Sequence, residues 1–113
     1  MPGIQKVYIG SQSGGKSSWG NGSSKFTVAA NAGSVAKTAV AGTLCRAVVV
    51  TTGTAAAAPG LLFYDGTDAT GVLIGAIPGN AAAGTSFTFM MPVATGIFVV
   101  QPANGPVVTV SYE

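Results

Sequence analysis

From residue 25 onward the chain is cut into short apolar runs, each closed by Gly, Pro, Asn or Asp. No other feature constrains the fold as much. A helix needs roughly 10–12 residues with an apolar repeat at helical spacing, whereas a strand needs only about 4–8. No stretch here sustains a long amphipathic helix. Strands are predicted over residues 25–29, 34–40, 43–52, 61–64, 72–77, 86–91, 97–100 and 107–112, with another over 4–9. The run Val48-Val49-Val50-Thr51-Thr52 is the strongest, because β-branched side chains fit a pleated surface. Two runs alternate cleanly. Phe87, Phe89 and Met91 oppose Ser86 and Thr88, and Val108, Val110 and Tyr112 oppose Thr109 and Ser111. Pro92 is expected to end the first of these, since it has no N–H for a ladder. Residues 53–60 read as a loop closed by Pro59-Gly60, and Asp65-Gly66-Thr67-Asp68 as a β-turn with Gly66 at positive φ.

Short strands separated by turn residues every 8–12 positions or so predict an all-β fold. The expected architecture is a small antiparallel β-sandwich or a jelly-roll-like barrel. The length of 113 residues gives one domain, assigned to residues 25–113, and residues 1–24 form an N-terminal arm. Core candidates, one face per strand, are Val48, Val50, Leu62, Tyr64, Ile74, Phe87, Phe89, Phe98, Val108 and Val110.

The arm has its own composition. Between Gly10 and Ser24, 11 of 15 residues are Gly or Ser. Such a stretch cannot bury enough apolar area to offset its ordering entropy, so it is expected to be flexible or to order on a partner. Extended, it would span roughly 50 Å at about 3.3–3.6 Å per residue, enough to cross a subunit boundary. Trp19 is its anchor-grade side chain. Trp19, Tyr8, Lys6 and Lys16 are the candidate partner-binding residues.

Composition excludes several chemistries. The chain has no His, which removes Ser-His-Asp and Cys-His catalysis and His metal sites. The acids are Asp65, Asp68 and Glu113. Asp65 and Asp68 sit in one turn, where nothing would hold them on opposite faces of a sugar as glycosidase carboxylates must be. Cys45 is the sole cysteine. It lacks a base and reads as a small buried residue, suited to a reducing compartment or a particle assembled there. These observations point away from an enzyme. Lys6, Lys16, Lys25, Lys37 and Arg46 give a net charge of +2, but without aromatic interleaving they make no nucleic-acid footprint. The first residues lack the apolar core of a signal peptide, and no run approaches the roughly 18 apolar residues of a membrane helix. No cofactor or metal is expected.

Two motifs look like chemistry as text. Gly10-Ser11-Gln12-Ser13-Gly14-Gly15-Lys16-Ser17 fits the phosphate-binding loop pattern, and Leu61-Leu62-Phe63-Tyr64-Asp65 fits its magnesium-binding partner strand. That loop works because a following helix directs its amides at the phosphate. Here Ser18-Trp19-Gly20-Asn21-Gly22-Ser23-Ser24 follows, a poor helix former throughout. A calcium loop at Asp65-Gly66-Thr67-Asp68 lacks further oxygen ligands and a distal Glu.

Only 7% of residues are charged, against about 25% in an ordinary soluble domain. Strands apolar on both faces suggest surfaces covered by neighbours. The stretch from Gly60 through Tyr64-Asp65-Gly66-Thr67-Asp68 to Gly75 resembles a segment of small tailed-phage virion proteins. The 44–52 strand, Thr95-Gly96-Ile97-Phe98-Val99-Val100 and the 107–113 ending are similar to their counterparts there. The resemblance covers residues 43–113, with Glu113 in place of the usual terminal base. It implies a phage structural protein of β-sandwich type. The expected function is a capsid decoration (cement) protein on the outer capsid, binding the major capsid protein and stabilising contacts between its copies. It would be a homo-oligomer, expected as a trimer, in virions assembled in the host cytoplasm. The alternative is a tail, fibre, baseplate or host-binding component, with Tyr64, Trp19 and Tyr112 touching glycan.

Overall fold

The computed structural model describes residues 24–38 and 41–113. Among these residues eight strands are present: β1 (Ser24–Val28), β2 (Ser34–Thr38), β3 (Gly42–Thr51), β4 (Leu61–Asp65), β5 (Val72–Ile77), β6 (Ser86–Val93), β7 (Gly96–Val100) and β8 (Val107–Tyr112). They form two antiparallel four-stranded sheets, sheet A in the order β1-β8-β3-β6 and sheet B in the order β2-β7-β4-β5. The fold is an all-β sandwich. Four pairings, β1–β8, β2–β7, β3–β6 and β4–β5, describe one long two-stranded ribbon with its tip at the β4–β5 connection. Folding that ribbon over itself brings β8 against β3 and β7 against β4. This is the jelly-roll wrapping.

The core lies between the sheets. Leu44, Val49, Val108 and Val110 from sheet A meet Leu61, Phe63, Ile77, Ile97 and Val99 from sheet B, all essentially buried. Burying a side chain of this size stabilises by about 1.5–3 kcal/mol. Phe89 of β6 closes one side. Its ring centroid is 5.1 Å from that of Phe63, and it lies so close to Gly75 that a β-carbon there would stand 2.9 Å from the ring. Phe26 and Tyr112 pack at 5.8 Å on the other side, and Lys37 sets its Nζ 5.6 Å from the centre of the Phe26 ring.

The strands expected from residue 25 onward are found, the one expected over 4–9 lies outside the described residues, and the inward faces differ from expectation in three strands. Val48 and Val50 are 39% and 56% exposed, and Ala47 and Val49 face inward instead. Directly opposed residues in an antiparallel pair share a face. Val49 lies opposite Val108 and Ala47 opposite Val110, so the clean alternation of β8 sets the phase of β3. A bulge at Cys45 interrupts the register between Leu44 and Arg46, which lets both Leu44 and Cys45 be buried. In β4 and β7 the inward residues are Leu61, Phe63, Ile97 and Val99, which leaves Leu62, Tyr64 and Phe98 half-buried on the outer face. Ile74, Val108 and Val110 are buried as expected, and Phe87 and Phe89 pack against the core.

Pro92 does not end β6, which runs on to Val93. β6 is an edge strand, where a missing N–H is tolerated. Met90 takes a positive φ of 52°, and Met91 is turned outward to 37% exposure. Gly66 is not at positive φ. The β4–β5 connection is a longer loop in which Asp68 Oδ1 accepts hydrogen bonds from the Thr70 N–H at 2.9 Å and from its hydroxyl.

Polar contacts tie both ends of the sandwich. At one end the buried Gln101 donates its side-chain N–H groups to the carbonyls of Ala29 (3.1 Å) and Pro106 (2.6 Å). The Asn104 N–H donates to the Asn31 side-chain oxygen at 2.9 Å. At the other end Asp65 accepts from the N–H groups of Ala94, Thr95 and Gly96 at 3.0, 2.9 and 3.4 Å. That turn carries the chain from sheet A to sheet B, so one carboxylate joins the two sheets. The three donors hold the Asp65 carboxyl below its ordinary pKa.

Candidate functional site

Trp19, Tyr8, Lys6 and Lys16 lie outside the described residues, as do the Gly/Ser-rich arm and the phosphate-loop pattern of residues 10–17. Among the described residues, no three His, Cys, Asp or Glu side chains gather where a metal could be held, and no helix is long and apolar enough to cross a membrane. Asp65, the acid of the magnesium-like pattern, is engaged by the 94–96 turn. Asp68 is engaged by Thr70. Cys45 is buried. Burial pushes its thiol pKa up, Glu113 adds to the rise and Arg46 opposes it. Tyr112 is half-buried, packed on Phe26 and against the core.

The surfaces available for interaction are the two outer faces, and strand register defines both. On sheet B one cross-strand row reads Ala36, Phe98, Tyr64, Leu73, and the next reads Ser34, Val100, Leu62, Ala76. Neither row carries a charge. Leu73 is 51% exposed. The apolar character continues around the side of the sandwich, where edge strands β5 and β6 meet. Val72 is exposed on β5, and Met90 and Met91 on β6. Among the described residues, four of the six exposed large hydrophobic side chains therefore lie along these neighbouring edges.

On sheet A one row reads Lys25, Ser111, Arg46, Thr88, and the next reads Thr27, Thr109, Val48, Ser86. Two cations and five hydroxyls share the eight places with one aliphatic side chain. A trough of about 230 Å³ runs across the middle, lined by Lys25, Arg46, Val48, Ser86, Thr109 and Ser111, with Ala47 beneath. Lys25 and Arg46 were visible in the sequence only as two of five bases. Their placement either side of Ser111 depends on β1 and β3 both pairing with β8. The apolar edge was missed because Met91 was read in phase with Phe87 and Phe89, before the backbone turn at Met90. Compared with known proteins, the chain matches no family model, no curated protein and no solved structure.

Proposed function

We propose that this chain is a structural protein of a phage particle, a decoration protein that lies on the outer capsid surface and stabilises contacts between major capsid proteins. The observation that carries this reading is the outer face of sheet B, where two complete cross-strand rows hold no charge and continue into Val72, Met90 and Met91. Contiguous exposed apolar surface of this kind marks a contact with another protein. In a chain with eight charged residues, neighbours rather than water are the natural cover for that face. Edge strand β6 carries Pro92 and the Met90 backbone irregularity, two devices that discourage strand addition. At that edge the contact would run through side chains on the face and not through an added strand. A homo-oligomer, as a trimer on the shell, would repeat the contact and gain avidity.

The test is location and copy number in the particle. Quantitative mass spectrometry of purified virions is expected to find this chain in stoichiometry with the capsid protein, and a labelled antibody is expected to mark the whole head. A few copies confined to the tail would replace this reading with a tail or baseplate component.

A further inference from the structure

The outer face of sheet A has a chemistry that shell attachment does not use. We propose that its trough binds a carboxylate-bearing sugar. Lys25 and Arg46 stand in one cross-strand row with Ser111 between them, so their Cα atoms are two strand spacings, about 10 Å, apart. Both side chains are exposed. The acids are elsewhere: Asp65 holds the 94–96 turn and Asp68 holds Thr70, both at one end of sheet B. Glu113 follows β8 opposite Thr43, with which it exchanges two main-chain hydrogen bonds. It is the one acid that flanks sheet A. The two cations thus stand with no acid between them, beside a trough whose lining is mainly aliphatic carbon edged by hydroxyls.

Size and lining select the ligand class. About 230 Å³ is several times the roughly 30 Å³ share of one water, which suits a ring better than a lone small anion. An extended peptide binds through its main chain at a sheet edge, but β8 and β3 are interior strands with both neighbours in place. Nucleic acid wants aromatic platforms for its bases, and none lines the trough. A sugar acid fits each element. The planar fork of Arg46 matches a carboxylate, and Lys25 adds a second charge. Ser86, Thr109 and Ser111 offer hydroxyls to ring hydroxyls. The Ser111 hydroxyl donates to the Arg46 carbonyl at 3.3 Å, which leaves its lone pairs free to accept. Val48, 39% exposed, supplies an aliphatic surface for the C–H face of the ring.

The experiment is a titration of the full chain with trigalacturonate, glucuronate and sialate, read by calorimetry and amide chemical shifts. The comparison ligands are the methyl ester of trigalacturonate, a hexaglutamate peptide and inorganic phosphate. Expected is millimolar or tighter binding of at least one sugar acid, with shifts on β8 and β3, weakened by salt. Arg46→Ala and Lys25→Ala each weaken it by about tenfold, and the methyl ester binds correspondingly less. Arg46→Lys loses part of the affinity while keeping the charge, and Ser111→Ala weakens the sugar without altering the melting temperature. Lys37→Ala, a cation away from the trough, binds as the parent does. Failure of every sugar acid overturns the proposal. So does equal or tighter binding of hexaglutamate or phosphate, or an equal loss in Lys37→Ala. Because binding is read on the isolated chain, the result does not depend on particle location.

Discussion

The outer faces of the two sheets are built on the same plan and have opposite surfaces. Each has four strands, and each presents two cross-strand rows. Sheet B fills its rows with Phe98, Tyr64, Leu73, Leu62 and Val100 and no charge. Sheet A fills its rows with hydroxyls, Lys25, Arg46 and a single valine. A sandwich needs only one apolar face per sheet, so core formation does not explain the apolar outer rows of sheet B. The core demands Phe63, and it makes no such demand for Phe98. The difference is what the proposal of a water-excluding partner on sheet B rests on, with sheet A left to polar contacts.

Paired substitutions across this boundary test it, and the largest effect is expected inside sheet B. Phe63→Ala should cost about 3–5 kcal/mol by leaving a cavity, whereas Phe98→Ala, half-buried outside, should cost about 1 kcal/mol. Chemical denaturation measures both, and equal losses would mean that the two faces are wrongly assigned. Next in size is Tyr64→Lys, which places a charge in the uncharged rows. It should weaken attachment to capsids by about a hundredfold while leaving the isolated fold intact, because a desolvated unpaired charge is costly. Thr27→Lys on sheet A should leave attachment unchanged. Co-sedimentation with particles lacking the protein reads both variants.

A smaller contrast lies within β3. Val49→Thr buries a hydroxyl against Val108 and should cost about 1–3 kcal/mol, whereas Val48→Thr should stay within about 0.5 kcal/mol of the parent. The smallest effect concerns the turn joining the sheets. Asp65 has its pKa lowered by the three N–H donors. Its contribution is therefore complete above the unfolded carboxylate value of about 3.9 and is lost as pH falls through the lower folded value. Asp65→Asn should be about 1 kcal/mol less stable at neutral pH, given the exposure of the site. Its melting temperature should also fall less than the parent's between pH 5 and 2. Parallel acid limbs for the two proteins would show that the carboxylate contributes nothing to joining the sheets.

How much of this was legible varies by strand. In β8, Val108 and Val110 alternate with Thr109 and Ser111, so the inward face could be read directly. In β3, β4 and β7 both faces are apolar. Val48 and Val49, or Leu62 and Phe63, cannot be told apart by polarity, and a one-residue slip exchanges the two faces completely. β8 could have resolved β3, because opposed residues share a face, but only once the two were known to pair. The Met90 backbone turn carries no signal in Phe89-Met90-Met91. The trough was beyond reach for the same reason: Lys25, Arg46 and Ser111 come from three strands far apart in the chain.

The sequence by itself determined the strands, because Gly, Pro, Asn and Asp interrupt the chain too often for helices and leave β-branched runs between them. It also determined that one surface would be poor in charge, since eight charged residues cannot cover two sheets. Tertiary structure alone decided which surface that would be. Strand pairing sets which side chains share a face, and the pairing β1–β8–β3 gathered the hydroxyls and two cations on sheet A. The pairing β2–β7–β4–β5 left the aromatic and aliphatic excess on sheet B.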